Sequence, residues 1–151
     1  MKLQSLPLAR HLGGVALTCA LALPTLAHAQ MTSGQTLYEQ LGGKSAIAQV
    51  VSDMYDNVLA DPRIKQFFAK TNPAHIKMEL TNQVCEATGG PCKYTGLSMR
   101  QAHKGMNINQ AQFNALVEDL QKSMDTNGVP LSLQNQLLAI LAPMEPDVDH
   151  Q

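Results

Sequence analysis

Aromatic side chains are scarce in this chain of 151 residues, which has no tryptophan, three phenylalanines and three tyrosines. A core with so few large rings must gain its bulk from aliphatic side chains or from a flat bound cofactor. Charge is also low: the formal net charge is −1, and no run of like charges extends beyond a few residues. The absence of a basic patch excludes the surface that nucleic-acid-binding proteins present.

Motifs with fixed metal-ligand spacing are absent too. After residue 29 the histidines are His75, His103 and His150, and no two have the i, i+4 spacing of a zinc-binding helix. The Cys-x-x-Cys-His sequence that attaches haem covalently does not occur. The sequence therefore argues against a zinc protease and against covalent haem attachment. His150 is next to the last residue, and we expect it to be disordered.

The first 29 residues have the three parts of a secretory signal peptide. Lys2 and Arg10 form a basic start, residues 13–26 are mostly small and apolar, and Ala27-His28-Ala29 fits an A-x-A cleavage site. The alternative, an uncleaved membrane anchor, is disfavoured because the apolar stretch is too short to span a bilayer. We expect cleavage after Ala29, and no second stretch of sufficient length predicts a membrane span in the remainder.

Residues 30–151 are predicted to form one periplasmic or secreted domain, since this length suits a single core. Cys85 and Cys92 are its only cysteines. In an oxidising compartment such a pair is expected to form a disulfide, and a bridge across so short a loop stabilises a protein by about 2 to 3 kcal/mol. Free buried thiols and a redox-active pair are the alternatives.

Apolar residues recur at spacings of three and four along this domain, which is the pattern of amphipathic helices. No convincing alternating strand is present. We therefore predict an all-α domain with four substantial helices, a short helix at 37–41 capped by Thr36, and another short helix at 99–104. The long helices are predicted after Gly42-Gly43 with Ser45 as cap, from Pro73 to Gly89-Gly90-Pro91, after Asn109, and from Leu131 to Pro143, with a polar tail beyond.

Six short motifs follow one another through the domain: LYEQLGG at 37–43, YDNVLADP at 55–62, FF at 67–68, GGP at 89–91, YTG at 94–96 and MRQAHKG at 99–105. Each is modest alone, but their order and spacing are specific. Together they resemble the group 1 truncated haemoglobins over nearly the whole domain. The resemblance implies a truncated globin fold, a two-over-two helical sandwich enclosing non-covalent haem b.

The resemblance also assigns roles to individual residues. It implies that His103 is the proximal ligand of the haem iron, that Tyr55 is the distal tyrosine that hydrogen-bonds bound oxygen, and that Phe68 packs on the haem. A proximal imidazole leaves the opposite face of the iron open, so the polarity of the distal pocket decides what binds there. Without the resemblance, Tyr55 and Phe68 would be interpreted as ordinary packed residues.

The predicted distal helix departs from the family pattern. Ile76 and Leu80 match positions that line the haem pocket, and many relatives have glutamine where this chain has Leu80. Gln83 could partly replace that glutamine, although an exposed side chain is the simpler interpretation. Glu79 matches a histidine that binds the iron in some relatives, so bis-histidine ligation by that route is not expected.

The two haem propionates need polar partners at the mouth of the pocket. Thr71, His75 and Lys77, at the start of the distal helix, are candidates for charge-assisted hydrogen bonds to them. Tyr94 is a fourth candidate. Each of the four could instead be an ordinary surface residue.

The resemblance implies a haem protein that reversibly binds oxygen, nitric oxide or carbon monoxide, and that stores oxygen, senses it or passes it on. The alternative function is a nitric oxide dioxygenase that converts nitric oxide to nitrate. Turnover would require an electron donor, and the sequence carries no flavin or nicotinamide domain, so the reductase would be a separate protein. No sequence feature selects electron transfer or peroxide chemistry.

Overall fold

The computed structural model describes residues 34–151, whose regular secondary structure is helical apart from one isolated β-bridge between Ile108 and Asp149. The predicted all-α class and the four substantial helices are confirmed. The predicted signal peptide lies outside the described residues, and within them no helix is long and apolar enough to cross a membrane. The helices are α1 (Leu37–Gln40), α2 (Gly43–Ala60), α3 (Lys65–Phe68), α4 (Pro73–Ala87), α5 (Met99–Ala102), α6 (Gln110–Thr126) and α7 (Leu131–Leu141), followed by a 3-10 helix (Ala142–Asp147).

Helix α2 is the central element, because it packs against both α4 and α6, and α6 in turn contacts α7. Its buried stripe consists of apolar residues at helical spacing: Ile47, Val50, Val51, Met54 and Val58. Leu59, one position further along the helix, is 42% exposed. A step of one residue turns the side chain about 100° around a helix, and the core is already filled by Val58, which is fully buried.

Local sequence signals set most of the helix starts. Thr36 and Glu39 form the predicted capping box of α1, and Asn109 caps α6 as predicted. The prediction of Ser45 as the cap of α2 is wrong, because α2 begins at Gly43 with Gly42 as its N-cap. Gly42 has φ = 91°, and an added Cβ would lie 2.9 Å from the Cβ of Ala46. A glycine turn therefore starts the helix without a side-chain cap.

The tail after Pro143 is polar in sequence, but the disorder predicted for His150 at its end is wrong. Residues Ala142–Asp147 form the 3-10 helix, and Val148 is only 6% exposed. The backbone N–H of His150 donates to the Ile108 carbonyl. The Gln151 carbonyl accepts from two N–H groups in the turn after α5. The tail is ordered because it pairs with a segment far away in the sequence, which no local pattern indicates.

Candidate functional site

Two adjoining cavities lie among α4, α5, α6 and the tail, with volumes of about 180 Å³ and about 190 Å³. Ordinary protein cores contain few voids larger than a water molecule, so these cavities give room for a sizeable apolar ligand. The first also extends to α3 and the second to α2 and α7. The residues that line both cavities are Leu80, Gln83, Met99, His103, Phe113, Leu116 and Val148.

His103 lines both cavities from the end of α5. Ser98 and Gln101 form a capping box that fixes the start of this single-turn helix, and His103 is its C-cap. The His103 Nδ1 lies 2.7 Å from the Met99 carbonyl oxygen. Because a carbonyl can only accept, Nδ1 carries the proton, and Nε2 of the neutral ring keeps its lone pair. Metal-binding histidines are oriented in this way, through a hydrogen bond from their second nitrogen.

Tyr55 is 2% exposed and does not itself line either cavity. Its hydroxyl lies 3.1 Å from the Thr71 hydroxyl oxygen, and Thr71 donates its own proton to the Phe68 carbonyl at 2.8 Å. The Tyr55 hydroxyl must therefore be the donor to Thr71. The Tyr55 and Phe68 rings meet edge to face, with centroids 6.0 Å apart. Thr71 and Phe68 line the first cavity and separate Tyr55 from it.

Lys77 points toward α2 and is not among the residues that line the cavities. Its ammonium donates to the Ser52 hydroxyl at 2.9 Å and to the Asp56 carboxylate at 3.3 Å. The ammonium also lies 5.2 Å from the centroid of the Tyr55 ring, within the range of a cation–π interaction. Lys77 thus packs against the face of Tyr55, away from the position predicted for a propionate partner.

The other predicted propionate partners divide between cavity and surface. Thr71 and Tyr94 line the first cavity. His75 is exposed in the first turn of α4, where its backbone N–H donates to the Asn72 side chain, and it lines neither cavity. The structure brings two of the four candidates to the cavity.

The cavity face of α4 is mostly aliphatic. Ile76 and Leu80 line the first cavity as the sequence predicted. The interpretation of Gln83 as exposed is wrong: it is half-buried, lines both cavities, and its amide donates to the sulfur atoms of Met99 at 3.4 Å and Met144 at 3.5 Å. The spacing of three residues from Leu80 places Gln83 on the same helix face, so the sequence contained a signal for this.

Tyr94 and Glu79 both line the first cavity, but they differ in whether their polar atoms have hydrogen-bond partners. The Tyr94 hydroxyl donates to the Leu97 carbonyl at 2.7 Å, and burial, with a smaller contribution from the Glu79 charge, raises the pKa of Tyr94. Glu79 also lines this cavity, and its buried Oε2 has no hydrogen-bond partner within residues 34–151. The resemblance matched Glu79 to a histidine that binds the iron in some relatives, but it did not predict a buried carboxylate oxygen without a partner.

Cys85 and Cys92 link the end of α4 to the loop that leads to Tyr94 and α5. Their Cα atoms are 5.7 Å apart, a separation that a disulfide spans, and their sulfur atoms are within bonding distance. Cys85 is fully buried. Gly90 completes the turn between them, where an added Cβ would lie 2.5 Å from the Tyr38 ring and 2.7 Å from the Cys85 carbonyl.

A family model described as Bacterial-like globin matches residues 36–150. The group 1 truncated haemoglobin of Tetrahymena pyriformis is 36% identical over 118 residues, which covers 78% of this chain and 98% of that protein. The group 1 truncated haemoglobin GlbN of Synechocystis is 38% identical over 109 residues, covering 70% of this chain and 88% of the relative. This chain belongs to the group 1 truncated haemoglobins.

The fold agrees with this family. The crystal structure of the Tetrahymena pyriformis truncated haemoglobin, in its Fe(III) form, matches with a TM-score of 0.75 and 35% identity, and the match covers 78% of this chain and all of that one. The two-over-two arrangement predicted for this truncated haemoglobin is therefore confirmed. Membership of the globin family implies that the chain binds haem and, through it, gaseous ligands.

The residues of the site fit a haem. The cavities are lined mainly by apolar residues and share His103, whose Nε2 is a suitable iron ligand in the tautomer that carries its proton on Nδ1. Phe68, Ile76 and Leu80 provide apolar contacts for the macrocycle. The carboxylate oxygen Oε2 of Glu79, which has no hydrogen-bond partner in residues 34–151, would gain none from an apolar ligand.

Proposed function

We propose that this truncated haemoglobin acts outside the cytoplasm, holds haem b non-covalently and reversibly binds diatomic gases. The observation that carries the proposal is the ring of His103, which lines both cavities and has only Nδ1 engaged, with the Met99 carbonyl. Bound haem would supply an iron centre that can take up a diatomic gas as a ligand. The absence of a Cys-x-x-Cys-His sequence supports the non-covalent b type.

The chain's own residues have distinct tasks in this proposal. His103 would hold the iron through Nε2, and the hydrogen bond from its Nδ1 to the Met99 carbonyl would keep the ring in the required tautomer. Phe68, Ile76 and Leu80 exclude water from the gas-binding side. Tyr94, which lines the first cavity, is the candidate partner for a propionate and would redirect to it the hydroxyl proton that it donates to the Leu97 carbonyl. The Thr71 proton is already engaged by the Phe68 carbonyl.

The proposed location rests on the signal-like residues 1–29 and on the cysteine pair. An exported chain that begins at Gln30 would meet an oxidising compartment, in which Cys85 and Cys92 remain bridged. Mass spectrometry of the exported protein tests both points. The expected mass is that of residues 30–151 less two hydrogens, whereas an intact N-terminus or two alkylatable thiols would contradict the proposal.

Gas binding is tested by absorption spectroscopy on the exported, haem-loaded protein, which is reduced and then titrated with oxygen and carbon monoxide. We expect reversible spectral changes with both gases and full recovery after their removal. Irreversible oxidation on the first exposure to oxygen would contradict the reversible-binding function. Rapid mixing with nitric oxide in air, with and without a reductant, then separates a gas carrier from a dioxygenase, since only the latter turns over repeatedly.

A further inference from the structure

We propose that Thr71 sets the selectivity of the site among gases, by accepting the phenol proton of Tyr55 and so withholding it from the ligand. The inference rests on the proposed gas binding at His103-held haem and goes beyond it. Thr71 is a positioning residue in this role, because it acts through Tyr55. The predicted distal donor would therefore be engaged before any gas arrives.

The direction of each hydrogen bond in this cluster is fixed by chemistry. A threonine hydroxyl has one proton, and Thr71 directs it to the Phe68 carbonyl at 2.8 Å, an acceptor only. The Thr71 oxygen can then only accept from Tyr55, 3.1 Å away. The neighbouring Lys77 ammonium, over the Tyr55 ring, has no acceptor to offer. Thr71 is thus the acceptor for the Tyr55 proton.

This arrangement has a different effect on different gases. Oxygen gains from a donated hydrogen bond because it carries partial negative charge when bound, whereas carbon monoxide gains little. To donate to oxygen, the Tyr55 hydroxyl must leave Thr71, and the Thr71 lone pair then loses its partner beside the cavity. Thr71 therefore lowers the preference for oxygen over carbon monoxide. The aliphatic Ile76 and Leu80 offer no other donor on this part of α4.

Thr71→Val removes the acceptor and keeps the branched shape. In the haem-loaded, reduced protein we expect oxygen dissociation to slow by about two- to tenfold, with carbon monoxide dissociation changed less than twofold. Thr71→Ser restores a hydroxyl and should return the rate toward that of the wild type. Thr81→Val is the matched control, since the buried Thr81 hydroxyl donates to the Lys77 carbonyl and lies off the cavities.

A double-mutant comparison connects the effect to Tyr55. In a Tyr55→Phe background, Thr71→Val should leave oxygen dissociation unchanged. A second readout is nuclear magnetic resonance of tyrosine labelled at the ζ-carbon, in the carbon monoxide complex. The chain has only three tyrosines, and the signal lost in Tyr55→Phe identifies Tyr55. Thr71→Val should shift that signal, and Thr81→Val should not.

The possible outcomes separate this inference from the proposed function. A wild-type protein that fails to bind haem or gas would overturn the proposed function itself. If the wild type binds both gases, unchanged or faster oxygen dissociation in Thr71→Val would overturn the inference alone. Faster dissociation, matching that of Tyr55→Phe, would show that Thr71 instead holds the phenol in the orientation that donates to the ligand.

Discussion

The two sides of the cavity differ in how their polar groups are satisfied. On the side of α2 and α4, the Tyr55 and Thr71 hydroxyls form a chain of hydrogen bonds that ends at the Phe68 carbonyl. On the side of α5, His103 uses one ring nitrogen and keeps the other for a ligand. The family resemblance identified His103 and Tyr55 as candidates, but only the direction of their hydrogen bonds shows that His103 is available to a ligand and Tyr55 is engaged.

The largest effect should come from the available group. His103→Ala removes the imidazole, leaving haem held by apolar contacts alone, and we expect haem affinity to fall by more than about a hundredfold. The measurement is the rate of haem transfer to an excess of a competing apoprotein. His75→Ala is the control, because His75 is exposed and lines neither cavity. Equal rates of haem loss from His103→Ala and His75→Ala would contradict the role of His103 in holding the haem.

The second-largest effect is expected from replacing Cys85 and Cys92, which lie on the two sides of the turn after α4. The Cys85–Cys92 pair anchors the end of α4 to the loop that leads to α5. Replacing both cysteines with serine should lower the free energy of unfolding by about 2.5 kcal/mol, measured by denaturant titration. A reducing agent should lower the stability of the wild type to that of the variant and leave the variant unaffected. If the reducing agent leaves the free energy of unfolding of the wild type unchanged, no bridge is present.

Tyr55, whose hydroxyl is bound to Thr71, should have a smaller effect on oxygen dissociation than a tyrosine with a free hydroxyl would have. A hydrogen bond to a charged acceptor contributes about 1.5 to 3 kcal/mol, but Tyr55 must first give up its bond to Thr71, which contributes about 1 kcal/mol. We therefore expect Tyr55→Phe to speed oxygen dissociation by about two- to thirtyfold, measured by stopped flow. Carbon monoxide dissociation should change less. Equal changes for both gases would mean that Tyr55 acts through packing.

The smallest effect concerns a buried acid outside the cavity. Asp119, 7% exposed, has an Oδ2 without a hydrogen-bond partner in the described residues, and burial, followed by the Asp61 charge, raises its pKa above the ordinary 3.8. The folded protein therefore binds this proton more tightly than the unfolded chain, and stability falls as pH rises from 3.8 through the raised pKa.

Asp119→Asn removes that titration. We expect the variant to be more stable than the wild type at pH 7, with the advantage shrinking as the pH falls toward 3.8. Urea unfolding across this range measures the difference. Glu118→Gln, at the neighbouring exposed position, should show only a small part of this pH dependence, because the Glu118 charge is the weakest of the causes that raise the Asp119 pKa. An advantage that does not change with pH would show that the Asp119 charge is not the cause.

Local signals predicted the fold better than the site. Thr36 and Asn109 cap their helices through residues three positions away, so short sequence patterns were sufficient. The ordered tail depends on pairing with Ile108, about forty residues away in the sequence, and no local pattern encodes it.

The site residues also divide into those that the sequence predicted and those that depend on contacts between distant elements. Motif order identified His103, and the cavities form around it. Lys77 was predicted at the propionates, but its long side chain reaches the acceptors that α2 provides, Ser52 and Asp56. The engagement of Tyr55 by Thr71 joins residues from two elements and depends on a third acceptor, the Phe68 carbonyl. Such a chain of donors can be assigned only when all three positions are known.

The central claim is that His103 is the one protein ligand of the iron and that the distal side stays open to gases. The most direct measurement is the absorption spectrum of the reduced, haem-loaded protein without added ligand. We predict a five-coordinate, high-spin spectrum that becomes six-coordinate on addition of carbon monoxide. A six-coordinate, low-spin spectrum before any gas is added would contradict the claim, because a second side chain of the pocket would then occupy the gas-binding position.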